Sequence, residues 1–343
     1  MKTYLKLVVT FVFLLTGLTG NEVTAQEPSS PFGEVVHLGW VVKDMQKVIE
    51  YWQKVGLGKF SIVESLPLND ALYRGNKINI VLKQGWITIG GVGIELLQPI
   101  KGKSVYDEFL EKHGEGIQHV AFSVNSAEEL ESQVTKFTTM GISVIQRGTF
   151  ETKAGQGIFV YFDTEPIGGV SFELMYDPAF QKDKKEGKQT PSEANQYPFT
   201  KIVQYCTVVK DVDKVAEFYN KIGFKVSRID RDNKGLIRRY KGQDEDLRMH
   251  MGWSKLGSVT LEIIQPTKGK SVYEDYLKKH EEGFHHIAFN VKDMDEAVTL
   301  FKQRGVEVNQ DGAWGKTQVE GRFAYLDTDP VGGLTIELLW SKK

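Results

Sequence analysis

Cysteine is almost missing from this chain. Cys206 is the only one in 343 residues, so no intramolecular disulfide can brace the fold, and stability must come from apolar cores or from bound metal. Neither sign of charge dominates. Lys and Arg number 43 against 45 Asp and Glu, interspersed, for a formal net charge of -2. The basic footprint of a nucleic-acid binder is therefore missing, and a small or weakly charged partner is expected. Long apolar runs are also missing. The most apolar stretch, "LVVTFVFLLTGL", follows Lys2 and Lys6 and falls well short of the ~20 residues a spanning helix needs. It precedes "VTAQ", which offers small residues where a signal peptidase reads, and no cysteine follows it to accept a lipid. Residues 1–25 are accordingly expected to be a signal peptide cleaved after Ala25, with an uncleaved membrane anchor as the alternative. The mature protein would be exported without stable membrane insertion, to the periplasm of a Gram-negative cell and otherwise to the medium.

What the chain does contain is itself, twice. Slid by 167 residues, the distance from His119 to His286, "VVHLGWVVKDMQKVIEYWQKVGL" falls on "IVQYCTVVKDVDKVAEFYNKIGF", and "IELLQPIKGKSVYDEFLEKHGEG" on "LEIIQPTKGKSVYEDYLKKHEEG". That period is far too long for a solenoid, so it marks a duplicated domain. The copies are read as residues 33–177 and 197–341, joined by a polar linker over 178–196, "PAFQKDKKEGKQTPSEANQ", with no apolar period.

Each copy also divides in two. "HLGWVV" and "HVAFSV" each open a strand that leads into a helix. Asp44 can cap the first helix, whose Met45, Val48, Ile49 and Trp52 fall at helical spacing before Gly56. Ser126 and Glu129 read as a capping box ahead of Leu130, Val134 and Phe137, with Gly141 as the stop. Short strand-like runs follow, "INIVL", "VGIELL", "IFVYF" and "GVSFELM". The expected order is β-α-β-β-β, twice per domain, in the α+β class.

Alternation along the strands then places polar side chains. Glu95 opposes Ile94 and Leu96, and Glu173 opposes Phe172 and Leu174. His37 shares a face with Gly39, and His119 with Ala121 and Ser123. The second copy repeats the pattern as Gln204, Glu262, His286 and Glu337, the last offset by three residues through a loop expected to be shorter. A carboxylate inside an apolar strand costs several kcal/mol unless paired or ligated. Imidazole and carboxylate together suit a divalent transition metal.

With these residues in place the sequence resembles the vicinal oxygen chelate superfamily, which includes glyoxalase I, methylmalonyl-CoA epimerase, fosfomycin-resistance enzymes and extradiol dioxygenases. "IELLQP…KGKSVYDEFLEKHGEGIQHVAFSV" and "GGVSFEL" are most similar to the epimerase branch. The resemblance implies tandem glyoxalase-like domains, each of two βαβββ modules curled into a half-barrel around one divalent ion. It implies His37, Glu95, His119 and Glu173 as ligands in the first copy, and Gln204, Glu262, His286 and Glu337 in the second. The ion would be Zn, Ni, Co or Mn, or Fe(II) in a dioxygenase. Its substrate would be a small molecule chelated through two neighbouring oxygens, with Glu173 and Glu337 either as the carboxylates that move a proton or as permanent ligands that do not.

The expected activity is that of an isomerase, epimerase or lyase that stabilises an enolate or enediolate. The epimerase branch adds an acidic residue on its third strand, where this chain has "INIVLK" and "LRMHMGW". Lys83 or His250 could substitute, or both could be exposed strand residues. Two alternatives stand beside this reading. An extradiol or 2-oxo-acid dioxygenase would use His37, His119 and Glu173 as an iron triad, although Glu95 then fills a position such enzymes leave free of a ligand. A sequestering protein without catalysis would not need eight ligand-type residues. Cys206 shares a strand face with Gln204 and is either part of the second site or an inert buried thiol. "DTEPIGGV" and "DTDPVGGL" read as turns that set the register of Glu173 and Glu337. "KGKS", present twice with Lys101, Lys103, Lys268 and Lys270, either steers an anionic substrate or is a solvated loop before a helix. Homodimerisation is left open.

Overall fold

The computed structural model describes residues 33–186, 196–233, 235–316 and 318–342. The expected signal peptide lies outside the described residues. No described helix is long and apolar enough to cross a membrane.

The first half runs β1 (Val35–Val41), α1 (Met45–Val55), β2 (Ser61–Pro67), β3 (Asn69–Tyr73), β4 (Asn76–Lys77), β5 (Val81–Ile89), β6 (Val92–Lys101), α2 (Val105–Lys112), β7 (Gly116–Ser123), α3 (Ala127–Thr139), β8 (Val144–Thr152), β9 (Gly155–Phe162), α4 (Glu165–Gly168), β10 (Ser171–Tyr176) and α5 (Pro178–Lys185). The second half runs β11 (Ile202–Val208), α6 (Val212–Ile222), β12 (Val226–Asn233), β13 (Ile237–Tyr240), β14 (Gln243–Asp244), β15 (Arg248–Leu256), β16 (Val259–Lys268), α7 (Val272–His280), β17 (Gly283–Asn290), α8 (Met294–Gln303), β18 (Val308–Trp314), β19 (Gly321–Leu326) and β20 (Thr335–Ser341).

Local signals explain the helices. Asp44 accepts from the Lys47 amide and Gly56 ends α1 in the left-handed region at φ 105°, where glycine escapes the Cβ clash. Ser126 accepts from the Glu129 amide, 3.1 Å away, as the capping box requires. Two expectations need correction. The first residues of the expected linker form α5, because Asp177 caps the Ala179 and Phe180 amides and Pro178 sits where its missing N–H costs nothing. The three-residue difference between the copies lies in a helix and not a loop: α3 has 13 residues and α8 has 10.

Each half makes one ten-stranded sheet, in the order β2-β5-β6-β1-β7-β10-β9-β8-β3-β4 and its counterpart β12-β15-β16-β11-β17-β20-β19-β18-β13-β14. Two four-stranded modules thus meet at the antiparallel β1–β7 pair, as the repeated β-α-β-β-β pattern predicts. The β3–β4 hairpin leaves its own module and pairs with β8 of the other. Since only Leu68 separates β2 from β3, the two edges of the sheet are brought together and the sheet curls into a cup.

One face of each sheet points outward to a core that the halves share. Leu38, Trp40, Ile94, Leu96, Val120, Phe122, Phe172 and Leu174 join Tyr205, Tyr219, Phe224, Ile287, Phe289 and Leu338 in one buried cluster. The opposite face lines the cup, where separate smaller clusters form around Tyr106 and Tyr161 and around Tyr273 and Tyr325. The turns before β10 and β20 lock the halves together. Tyr219 Oη donates to the Gly168 carbonyl at 2.8 Å, Trp52 Nε1 to that of Val331 at 3.1 Å, and Trp40 Nε1 to that of Gly332 at 2.5 Å.

Two candidate metal centres inside the cups

Four strands deliver the first cluster. In the parallel β1–β6 ladder Glu95 lies opposite Gly39, and in β1–β7 Gly39 lies opposite His119. In β7–β10 Glu173 lies opposite Ala121, which itself faces His37. His37, Glu95, His119 and Glu173 therefore converge, with ligand atoms all within 4.8 Å of one another. His37 Nε2 stands 2.9 Å from Glu173 Oε2 and 3.4 Å from Glu95 Oε2, and His119 Nε2 stands 3.2 and 3.6 Å from the same oxygens. The two imidazole nitrogens are 3.2 Å apart.

Those separations test whether a cation fits. Adjacent ligands ~2.0–2.2 Å from one ion are about 3 Å from each other, which is the spacing of His37, His119 and Glu173. Glu173 Oε2 is buried and receives no well-aligned hydrogen bond among the described residues. Lone pairs brought together this way repel unless a positive charge lies among them. The His37 imidazole shows the same demand: burial pulls its pKa down, yet the Glu173 and Glu95 carboxylates push it up to about 10. Burial raises both carboxyls, but the histidines outweigh it and hold them below the usual range. The donor set fits a divalent ion.

The supporting groups were not all legible. Gln84 Nε2 donates to Glu95 Oε1 at 2.5 Å. It lies on β5, which begins at Val81 and runs to Ile89, well past the "INIVL" run that the sequence suggests. Lys83, one residue away, faces outward and pairs with Glu64 at 2.9 Å. His250 likewise faces away and accepts from the Asp232 amide. Neither joins a cluster.

Gln118 and His285 also escape strict alternation. Between Gly39 and Trp40 the partner strand advances from His119 to Ile117, leaving Gln118 as the extra residue of a β-bulge. The same bulge leaves out His285 between His286 and Phe284. A bulge re-aims side chains, so Gln118 Oε1 reaches His119 Nδ1 at 2.8 Å and His285 Nδ1 reaches His286 Nδ1 at 2.8 Å. The only sequence signal was a hydrogen-bonding residue at the same place in both copies. The turns behave as expected: Thr164 Oγ1 bonds the Val170 carbonyl and the Phe172 amide, and Thr328 repeats this with Leu334 and Ile336. Each clamp lies beside Glu173 or Glu337.

The second cluster is built on the same strands but closes differently. Gln204 Nε2 donates to Glu262 Oε2 at 3.0 Å and to Glu337 Oε2 at 3.2 Å. Trp253 Nε1 donates to Glu262 Oε1 at 3.1 Å. His286 Nε2 stands 3.2 Å from Glu337 and 3.6 Å from Glu262. The Gln204 amide thus joins the two carboxylates by hydrogen bonds. Cys206 takes the place of Gly39, and with Glu262 and His286 it forms a second group of candidate ligands. Burial pushes its thiol up to about 12. Burial and the neighbouring Glu337 carboxylate raise the Glu262 carboxyl, opposite to Glu95.

Comparison with known proteins agrees with this architecture. The Glyoxalase/Bleomycin resistance protein/Dioxygenase superfamily matches twice, at residues 36–162 and 203–325. A 4-hydroxyphenylpyruvate dioxygenase of Aspergillus fumigatus is 29% identical over 213 residues, which cover 58% of this chain and 50% of that protein. The chain thus spans about half the length of that relative. YqjC, an uncharacterized protein of Bacillus subtilis strain 168, is 27% identical over 108 residues, covering 30% of this chain and 74% of that one. Among solved structures, a triple variant of 4-hydroxymandelate synthase from Streptomyces coelicolor shares the fold, with a TM-score of 0.60 at 15% identity over 92% of this chain and 93% of that chain.

Proposed function

Because the chain belongs to the Glyoxalase/Bleomycin resistance protein/Dioxygenase superfamily, we propose that it is a divalent-metal enzyme of the dioxygenase kind, with its ion in the first cup. The observation that carries this reading is the face formed by His37, His119 and Glu173, with donor atoms 2.9–3.2 Å apart. Two imidazoles and one carboxylate on one face, with positions left open, are the donor set of non-haem iron oxygenases. The similarity to a dioxygenase favours it over the isomerase or lyase expected from the sequence.

A bound ion would supply Lewis acidity and, as iron, oxygen chemistry. The rest falls to the chain. His37, His119 and Glu173 would hold it, and Gln118 fixes the ring orientation of His119. Gln84 holds Glu95 by its other oxygen. The Trp86 ring stands edge-on to His37, with centroids 5.4 Å apart, and walls that side against water. A small substrate with two adjacent oxygens would enter past Ser123, Met175 and Phe180. Export of the mature chain belongs to the same proposal.

Glu95 favours a second reading. As a fourth donor beside His37, His119 and Glu173 it would suit a Lewis-acid isomerase or lyase, with Glu173 as the proton carrier. Anaerobic loading with Fe(II), followed by oxygen uptake with catechols and 2-oxo acids, separates the two. Uptake that disappears in His119→Ala supports the oxygenase. No uptake, together with deuterium exchange next to the carbonyl of hydroxyketones in the Mn(II) or Ni(II) protein, would replace it by the second reading.

A further inference from the structure

The two cups differ in the cavities over their floors. A cavity of about 330 Å³ opens over Gln204, Glu262 and Glu337, walled by Trp253, Trp314 and Phe323. The cavity beside His37 measures about 90 Å³. Arg238 on β13 lines the larger one and is only 8% exposed. Its guanidinium lies over the Phe323 ring at 4.8 Å, and Nη2 donates to Asn233 Oδ1 at 2.8 Å. Nε and Nη1 have no hydrogen-bond partner among the described residues, although both are buried.

A buried guanidinium normally keeps a carboxylate against its fork. Asp230, which lines the same cavity, instead accepts from Asn233 Nδ2 at 3.0 Å. The backbone has also been shaped around Arg238: Gly235 has φ +57°, and a Cβ there would lie 2.5 Å from the guanidinium carbon. In the first half the matching place on β3 holds Ala71, so the first cup has no guanidinium at that point.

We infer that the second cup is a binding site for an organic acid, in which Arg238 receives the carboxylate on Nε and Nη1 and Trp314 and Phe323 enclose an apolar, aromatic-sized body. The ligand's other end reaches the floor, where Glu262 and Glu337 are held by Gln204, Trp253 and His286. Those carboxylates exclude a second anionic group and favour a hydrogen-bond donor there. The inference concerns a different cup from the proposed reaction and does not depend on it.

Phenylacetate and its neutral isostere phenylacetamide, titrated calorimetrically into the full chain, test the idea without any variant. Phenylacetate is expected to bind at least tenfold more tightly. Arg238→Gln should erase that preference while Arg238→Lys keeps part of it. Equal binding of acid and amide, or an unchanged preference in Arg238→Gln, would overturn the assignment and leave Arg238 as a structural partner of Phe323. Sulfate competing as well as phenylacetate would overturn the organic part, leaving an inorganic anion site.

Discussion

In the first cup His37 faces Glu95 and Glu173 across 3.4 and 2.9 Å. In the second the same place holds Gln204, whose amide hydrogens already join Glu262 to Glu337. Gly39 lets the His119 ring lie flat over its strand, since a Cβ there would come within 1.7 Å of the ring, whereas Cys206 puts a side chain at the matching point. One copy therefore concentrates lone pairs in a tight space suited to a cation. The other satisfies its carboxylates internally and keeps room for a ligand. Two sites can thus share strands, register and bulges and still differ in chemistry, because three or four side chains at the floor of each cup differ between the copies.

The sharpest way to break this contrast is to remove one carboxylate from each floor. Wild-type protein is expected to hold one tightly bound divalent ion per chain. Glu173→Gln should lower its affinity at least about a hundredfold, in line with the cost of leaving buried partners uncompensated, while Glu337→Gln leaves the ion in place. Metal content after gel filtration reads the result, and loss in both variants would mean the cups are alike. The reverse experiment rebuilds the second floor: Gln204→His with Cys206→Gly should raise the stoichiometry from one ion to two.

Next in size is Gly39→Ala. Its Cβ collides with the His119 ring, so a loss of about 2–4 kcal/mol is expected, seen as a lower midpoint in urea and as weakened metal binding. Cys206→Gly, the same change in reverse, should cost far less. Gln118→Ala removes the hydrogen bond that orients His119 and should weaken metal binding roughly 10–100-fold without lowering the melting temperature by more than a few degrees.

How far the sequence announced all this depends on which physical rule governed each residue. Period-two alternation placed the eight floor residues on the right face of the right strands, because apolar neighbours such as Leu38, Val120 and Phe172 leave no ambiguity about which side meets the shared core. Alternation failed at Gln118 and His285, where an added residue interrupts the ladder. It also gave no account of Arg238, because the β3–β4 hairpin and its copy β13–β14 cross to the far edge of the sheet, and local pattern carries no record of which strand a hairpin will join. The linker failed for another reason: α5 rests on its cap at Asp177 and on Gln181 reaching the Val124 carbonyl, with no apolar stripe to reveal it.

The smallest expected effect contrasts the halves at their junction. Burial pushes the Glu165 carboxyl up, but His113 at 2.8 Å and Lys112 at 2.6 Å prevail and hold it at about 2. Its counterpart Asp329 is pushed up by burial, with Lys279 only 3.9 Å away as compensation. A depressed carboxyl stabilises the fold above its unfolded pKa and loses that contribution as pH falls toward about 2. Glu165→Gln should therefore cost ~1 kcal/mol at neutral pH after allowance for exposure, and should flatten the acid limb of stability between pH ~4.5 and about 2. Asp329→Asn should do the opposite, with neutral or slightly improved stability at pH 7. Chemical denaturation across pH would show both.

The turns that carry the last strands are held by the opposite half, through Tyr219 on Gly168 and through Trp52 and Trp40 on Val331 and Gly332. The covalent link between the halves is therefore not what keeps them together. A protease that cut the chain between residues 186 and 196 would release no free half: the fragments would travel as one particle and melt in one step. Neither gene copy, once its outer face had come to rest on the other, could return to life as a separate protein without first acquiring a new surface.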